Sequence, residues 1–418
     1  MNLFKTSIYS GISQATSVAV GLISVKIVAS KIGPEGIALQ GQFINSTAIL
    51  SIISGASIGA GVIKYLAEYK ENKDEQLKII KAAITITAVS CLIVSLIPII
   101  GAYWFAEHML KDSKYISVYW IYGAFLPFIT FNTLFSFILN GLKKIPALTF
   151  VNIFTSIINL IFLILLSKSY GVYGVLITAI IISFFVFLLH LYFFYKNKWF
   201  SILTLRPLWD KEIYTKFFKF SAMSLLAGLG MPFIQIIIRD KIIHTSGLMD
   251  AGYWQTVTRI SDFYLSFLIS VLSVYFLPKL SELKENHEIR KEIFQTGKVI
   301  IPAIIVMSTI IWLGKDLLIK YLLTEKFLPT RPLFFFQLLG DIFKVGGWML
   351  SNILWAKALT KKYLLIDSFS LLLYVGISYL CISQFGLWGS TFGFFVTYLI
   401  YFLIMCVANR KYLVLQKT

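Results

Sequence analysis

The chain has 418 residues, of which 58% are hydrophobic and only 14% charged, whereas a soluble globular protein is typically about 25% charged. Its mean hydropathy of +0.80 and its long apolar runs exclude a soluble domain with a single anchor and indicate a polytopic membrane protein. The net charge of +18 is typical of basic cytoplasmic loops, so we expect no nucleic-acid partner.

Apolar runs of spanning length predict twelve transmembrane helices in an all-α fold. Each run has about 20 residues or more, as a hydrocarbon core of ~30 Å requires. No break between them is long enough for a folded soluble domain. In chain order the runs lie at roughly 5–29, 37–66, 80–105, 116–141, 146–167, 171–195, 215–244, 250–280, 294–314, 331–357, 362–383 and 387–409.

The basic residues predict the orientation of these helices. An even number of spans puts both termini on one side, and the loops and helix ends of that side carry 24 Lys and Arg residues against nine on the other. Cytoplasmic loops are enriched in Lys and Arg. We therefore expect both termini in the cytoplasm.

Short motifs recur in the two halves of the chain at a nearly constant offset. Gly33 returns as Gly247, and YLAEYKEN (65–72) as KLSELKEN (279–286), both 214 residues later; YGVYG (170–174) returns as FGLWG (385–389), 215 residues later. This pattern predicts two parallel-topology six-helix lobes around a central cavity, with rocking between them for alternating access. The predicted ranges are 1–195 for the N-lobe, 196–214 for a cytoplasmic linker and 215–418 for the C-lobe.

Charged residues inside the predicted spans are candidates for a substrate site, because a charge at the bilayer centre costs about 2.5–3.5 kcal/mol on insertion scales. Arg259 and Asp262 in the eighth span, and Asp341 and Lys344 in the tenth, lie about 13–20 Å from the outer ends of their helices. Each pair is spaced i, i+3 and so shares a helix face. A purely structural salt-bridge network between the two spans stays open as an alternative.

Other polar residues are weaker candidates for the same cavity. Lys26 and the Arg239-Asp240 pair lie near the outer ends of the first and seventh spans, and Lys64 lies near the cytoplasmic end of the second. Snorkelling to the interface is the alternative for the long basic side chains. Four amides are candidates for polar cavity lining: Gln42, Asn45, Gln255 and Gln337. Four aromatic residues suit the ring faces of sugars: Tyr253, Trp254, Tyr264 and Trp348. For any single one of these, interhelical contact is the simpler interpretation.

Motifs for other activities are absent from the sequence. Gly297-Lys298 is followed by Val299 and Gly314-Lys315 by Asp316, so there is no phosphate-binding loop of the P-loop type. The four histidines are scattered, without the spacing of metal ligands. The outer loops are too short for the active site of a membrane polymerase or ligase. The sequence therefore favours a transporter over an enzyme, with no catalytic residues, metal or cofactor.

Four strings carry a resemblance to a known family: KIVASKIGPEGIALQGQF, GASIGAGVIKYLAEYKEN, YWQTVTRISDFYLSFLISVLSVYFLPKLSEL and QLLGDIFKVGGWMLSNILWAKA. They resemble the Wzx-type oligosaccharide flippases of the multidrug/oligosaccharidyl-lipid/polysaccharide exporter superfamily. The last two look like the branch that flips lipid III of enterobacterial common antigen. The resemblance implies a substrate, undecaprenyl pyrophosphate bearing a short oligosaccharide (lipid III or an O-antigen repeat unit). It also implies movement of this lipid to the periplasmic leaflet of the bacterial inner membrane.

The resemblance also implies a cationic central cavity, which we assign to Arg259 and Lys344 and, secondarily, to Arg239, Lys26 and Lys64. A planar guanidinium suits phosphate groups, and an ammonium supplies a point charge. The expected charge partners, which are also candidates for proton coupling, are Asp262, Asp341 and Asp240.

Further expectations concern partners and the competing function. Besides the lipid-linked glycan and membrane lipids, we expect polysaccharide polymerase and chain-length proteins as partners of a monomeric transport unit. A cation-coupled multidrug exporter of the same superfamily is the alternative function. The excess of cations over carboxylates inside the spans favours an anionic substrate.

Overall fold

The computed structural model describes residues 3–196, 207–357 and 359–413. These residues form helices and short connections and contain no strand, which confirms the predicted all-α class. The α-helices are α1 (Leu3–Ser54), α2 (Gly59–Glu68), α3 (Lys73–Ile100), α4 (Ala102–Met109), α5 (Ile116–Gly141), α6 (Ile145–Lys196), α7 (Lys211–Ser246), α8 (Leu248–Val271), α9 (Leu277–Glu282), α10 (Asn286–Leu322), α11 (Leu333–Ala356), α12 (Thr360–Phe385), α13 (Leu387–Ala408) and α14 (Arg410–Leu413). A π-helical segment, Leu272–Phe276, joins α8 to α9.

Eight helices of the described ranges are long and apolar enough to cross a membrane, so the protein is a multi-pass membrane protein. Two of them, α1 and α6, each contain a sharp kink and cover two predicted spans. The seventh and eighth predicted spans correspond to α7 and α8, which do not meet the same criterion of length and apolarity. The total of twelve spans therefore stays a prediction.

Glycines in the left-handed region make the sharp turns between consecutive helices. Gly33 (φ 64°) and Gly171 (φ 54°) kink α1 and α6, while Gly247 (φ 96°) and Gly386 (φ 58°) precede α8 and α13. Only glycine adopts this conformation without steric cost. Gly33 and Gly247 are equivalent positions of the sequence repeat, and so are Gly171 and Gly386. The repeated motifs thus have the same backbone turn in both halves.

The second and third predicted spans differ from the helices observed. The run predicted at 37–66 is interrupted between Ser54 and Gly59, where Ala56 and Ser57 have φ of 49° and 50°. The run predicted at 80–105 is interrupted at Gly101, which separates α3 from α4. Averaged hydropathy does not register either break, because neither turn contains a charged residue.

The chain divides into two compact units: Met1–Ile32 with Leu39–Phe233, and Gly33–Ala38 with Ile234–Thr418. The first unit has a core of buried aliphatic and aromatic residues from α2, α3, α5, α6 and α7, which includes Leu66, Ile79 and Phe135. The predicted linker at 196–214 lies largely outside the described residues. The predicted lobe boundaries stay a prediction.

The second unit has its core between α8, α10, α11 and α13, with Phe276, Ile304, Val345 and Ile353 fully buried. Helices α11 and α13 approach closely because glycines on α11 leave room for rings on α13. A Cβ atom on Gly340 would lie 2.4 Å from the Phe394 ring. One on Gly347 would lie 2.5 Å from the Tyr401 ring. Small residues at helix interfaces allow this approach, and it brings aromatic residues of α13 to the charged face of α11.

Candidate functional site

Asp341 lies at the centre of a polar cluster between α8 and α11. Its side chain is fully buried. One carboxylate oxygen accepts hydrogen bonds from the Ser261 hydroxyl and from the Tyr264 hydroxyl at 2.5 Å. The other accepts from Gln337 Nε2 at 3.4 Å, and the same Gln337 nitrogen lies 3.3 Å from Ser261 Oγ. All the hydrogen-bond donors that the described residues offer this carboxylate are neutral.

Lys344, one turn further along α11, is surrounded by aromatic rings. Its side chain is 6% exposed. The Nζ atom lies 4.8 Å from the ring centroid of Trp348, 5.3 Å from that of Tyr398 and 5.4 Å from that of Phe394. The electron-rich faces of aromatic rings attract cations, most strongly where water is excluded. The rings therefore compensate part of the cost of burying this ammonium.

Asp341 and Lys344 do not pair directly with each other. None of the ion pairs within 4 Å among the described residues involves either of them. Each has an environment of its own, of neutral donors for the carboxylate and of rings for the ammonium. The four-residue salt-bridge network considered from the sequence is therefore not formed through these two residues.

Arg259 and Asp262 occupy a different face of α8 from the residues that bind Asp341. Because successive helical residues are about 100° apart, Ser261 and Tyr264 face α11 while Asp262 is exposed. Arg259 is half-buried, and Asp262 interacts electrostatically with both Lys344 and Arg259. The accessible charged groups of this cluster are therefore on α8, and the enclosed ones are on α11.

Arg239 on α7 forms a second buried polar contact in the same unit. Its side chain is fully buried, donates a hydrogen bond to Gln255 Oε1 and has its guanidinium carbon 5.4 Å from the Trp254 ring centroid. The neighbouring Asp240 is half-buried, with a carboxylate oxygen 3.5 Å from His244 Nε2. Two predicted site residues, Arg239 and Gln255, are thus in direct contact.

The four remaining charged and amide candidates belong to the first unit. Lys26 and Lys64 are exposed, and Lys64 Nζ lies 5.0 Å from the Tyr65 ring centroid. Gln42 is 1% exposed and Asn45 7%. In that unit the two lysines are therefore surface residues and the two amides belong to the helix packing.

Three contacts of the cluster were not anticipated from the sequence. Ser261, Phe394 and Tyr398 were not among the candidates, although they contact Asp341 or Lys344 directly. Phe394 and Tyr398 are spaced i, i+4 on α13 and so share a face, but an apolar face of a membrane helix is an ordinary pattern. No group of three or more His, Cys, Asp or Glu residues that could hold a metal occurs in the part of the chain described.

Known proteins resemble this chain in sequence and in structure. The family described as polysaccharide biosynthesis protein matches residues 3–284. The lipid III flippases of Escherichia coli (strain K12) and Shigella flexneri are each 27% identical to it over 406 residues, covering 97% of this chain and 98% of each relative.

The fold also occurs in solved structures of other proteins. An inward-facing multidrug resistance MATE family transporter of the MOP superfamily has a TM-score of 0.82 at 15% identity, covering 94% of both chains. The lipid II flippase MurJ, in an inward closed conformation, has a TM-score of 0.75 at 17% identity, covering 97% of this chain and 87% of that chain. The all-α transporter architecture predicted from the sequence is thus the one found.

Proposed function

Because this chain belongs to the polysaccharide biosynthesis protein family, we propose that it is a flippase for a lipid-linked oligosaccharide. The substrate is undecaprenyl pyrophosphate bearing a short glycan, such as lipid III or an O-antigen repeat unit. The protein moves it from the cytoplasmic to the periplasmic leaflet by alternating access. Similarity along 97% of the chain to two lipid III flippases is the observation that carries this proposal. Their activity also supports a transporter rather than an enzyme.

The buried polar cluster of α8 and α11 supports the same function. A pyrophosphate-linked glycan combines negative charge with many hydroxyl groups, and it must pass a layer in which unpaired charge is costly. Arg259 and Lys344 supply cations and Asp262 an accessible carboxylate close to both. In this proposal Arg259 binds the pyrophosphate directly, because it is partly accessible. Lys344 contributes positive potential from its aromatic surroundings and becomes a direct ligand if the rings around it move.

The other predicted residues have secondary roles in this proposal. Arg239, Lys26 and Lys64 extend the positive potential along the substrate path, and Gln42, Asn45, Gln255 and Gln337 provide hydrogen bonds next to it. Asp341, Asp262 and Asp240 balance the cations and are candidates for proton coupling. The protein acts as a monomer in the inner membrane with both termini cytoplasmic, and hands its product to a polysaccharide polymerase and chain-length proteins.

Mass spectrometry of undecaprenyl-linked glycans from cells lacking the protein tests this function. We expect one intact repeat unit to accumulate on its lipid, and its mass identifies the glycan. Wild-type protein restores the normal level, whereas Arg259→Ala and Lys344→Ala do not, at equal amounts of protein in the membrane.

The competing function, a cation-coupled multidrug exporter, predicts a different phenotype. The similarity to a MATE transporter concerns the fold alone. An exporter would leave lipid-linked glycans unchanged in the deletion strain and make it sensitive to cationic drugs. That combination would overturn the flippase proposal.

A further inference from the structure

A cavity of about 190 Å³ lies between α8 and α11, beyond Lys344 along the α11 sequence. Six residues line it: Ile269, Leu272, Trp348, Ser351, Asn352 and Trp355. The four from α11 are spaced i, i+3, i+4 and i+7 and so share one helix face. Lys344 precedes Trp348 by four residues on that face. Trp348 therefore belongs both to the rings around the ammonium and to the wall of the cavity.

The cavity is lined by two indole rings and by the Asn352 amide, which has hydrogen-bonding groups without a partner among the described residues. Asn352 donates from Nδ2 to the backbone carbonyl of Trp348 at 2.9 Å, and the Ser351 hydroxyl donates to the same carbonyl at 2.9 Å. An amide has two N–H donors and a carbonyl acceptor. No other described residue hydrogen-bonds to Asn352, so its oxygen and one N–H remain available to a ligand. Trp355, at the far end, is 50% exposed.

This combination matches the chemistry of a sugar ring. One face of a pyranose carries weakly positive C–H groups, which pack against the electron-rich face of an indole. The ring hydroxyls at its edge exchange hydrogen bonds with an amide. The volume is below the roughly 300–1,000 Å³ of pockets for drug-sized ligands, which suits a single ring. An apolar chain would fit the indoles equally well but would remove Asn352 from water without replacing its hydrogen bonds.

The position of the cavity also fits the proposed substrate. Asn352 lies eight residues beyond Lys344, about 12 Å along the axis of α11. A head group with its pyrophosphate at the charged cluster and its sugars along this face of α11 would reach the cavity. The wall on the α8 side ends at Leu272, the first residue of the π-helical segment Leu272–Phe276. Such segments within α-helices occur frequently at functional sites.

We propose that Trp348, Asn352 and Trp355 form a subsite for one sugar ring of the lipid-linked glycan. This inference rests on the proposed function and deepens it. The cationic cluster recognises the pyrophosphate that all such lipids share, and the subsite recognises the glycan. The subsite is therefore the element that makes the protein prefer a complete repeat unit over a truncated one.

Flipping by purified protein in liposomes tests the subsite. Two lipids are compared, undecaprenyl pyrophosphate bearing the complete repeat unit and the same lipid bearing only its first sugar. Wild-type protein is expected to flip the complete lipid faster. Trp355→Ala and Asn352→Ala should each slow the complete lipid by about 10-fold, the effect of losing one good contact, with little effect on the one-sugar lipid. Trp355→Phe, which keeps an aromatic face, should restore most of the rate.

A matched control separates this effect from a general one. Trp120 on α5 is 54% exposed and does not line the cavity, so Trp120→Ala should flip both lipids at wild-type rates. Equal slowing of both lipids by Trp355→Ala, or no slowing of either, would overturn the subsite while wild-type flipping still supports the proposed function. Failure of wild-type protein to flip either lipid would overturn the proposed function itself.

Discussion

Asp341 and Lys344 are close in sequence, yet the structure gives them separate roles. The carboxylate is fully buried, and its hydrogen-bond donors are two hydroxyls and an amide. A buried carboxylate whose hydrogen-bond donors are all neutral is costly to keep charged, which makes Asp341 a better candidate for proton uptake than the exposed Asp262. The ammonium is stabilised by rings instead, which leaves its charge available to an anion that enters the cluster.

Asp341→Asn tests proton coupling, because it keeps the shape of the side chain and removes its titration. We expect the variant to flip substrate more slowly and to lose the acceleration that an imposed proton gradient gives wild-type protein. Flipping rates in liposomes with and without a pH gradient measure this. Asp112→Asn is the control, since Asp112 pairs with Lys114 in the turn before α5. A normal response of Asp341→Asn to the gradient would exclude this role.

Lys344→Met separates function from stability. Methionine has similar length, suits the aromatic surroundings and removes the cost of burying an ammonium. We therefore expect an unchanged or higher Tm in detergent, together with a loss of flipping of about 10-fold, or about 1.4 kcal/mol. Thermal unfolding and liposome flipping on the same preparation measure both quantities. A parallel loss of stability and flipping would instead indicate a structural lysine.

Between helices, the close approach of α11 and α13 determines what surrounds the cluster. The glycines of α11 leave space that aromatic rings of α13 fill, so Phe394 and Tyr398 reach Lys344. Helix α8 contributes the opposite wall, with Ser261 and Tyr264 facing α11 and Asp262 facing away. The charged site is therefore a property of three packed helices rather than of the two that carry its charges.

Gly340→Ala tests this packing. The added methyl group would overlap the buried Phe394 ring, and overpacking of this kind typically costs about 1–3 kcal/mol. Thermal unfolding in detergent should show a lower Tm. Gly314→Ala on α10 is the matched control, because nothing lies within 4 Å of its Cβ position. There the substitution should stabilise the helix by up to about 1 kcal/mol. Similar Tm values for the two variants would contradict the close packing.

At the scale of the whole molecule, the sharp turns that begin at Gly171 and at Gly386 have the same geometry. A Cβ atom on Gly174 would lie 2.0 Å from the carbonyl oxygen of Leu166, and one on Gly389 would lie 2.1 Å from that of Cys381. Both the glycines and the carbonyls are 215 residues apart. Equal geometry at equal offsets supports an origin of the two halves in one repeated segment.

Gly174→Ala and Gly389→Ala should therefore have similar effects. Each added methyl group would overlap backbone atoms, which cannot move aside as a side chain can. We therefore expect the free energy of unfolding of each variant to fall by about 1–3 kcal/mol or more. The double variant should lose close to the sum, because the two glycines share no partner. Gly376→Ala, with nothing within 4 Å of its Cβ position, is the control for thermal unfolding. A large effect of only one of the two would contradict equivalent turns.

Several properties were determined by the sequence alone. The assignment as a membrane protein follows from composition, because a chain with so few charged residues cannot form a surface that is polar enough to be exposed entirely to water. The left-handed turns at Gly33 and Gly171, and at their repeat partners, were marked by recurring motifs, since such turns depend on local backbone freedom. Asp341 and Lys344 were found because a charge within an apolar run is improbable without a specific environment.

Only the tertiary structure decided how those charges are accommodated. The contacts of Asp341 with Ser261 and Tyr264 join residues about 80 positions apart, and those of Lys344 include rings of another helix. Which face of α8 turns toward α11 depends on the packing of both helices against α13. The cavity wall that Trp348, Asn352 and Trp355 form with α8 depends on the same helix packing. The helical periodicity of the sequence predicts which residues share a helix face. Which other helix that face contacts is determined by packing between segments that are distant in sequence.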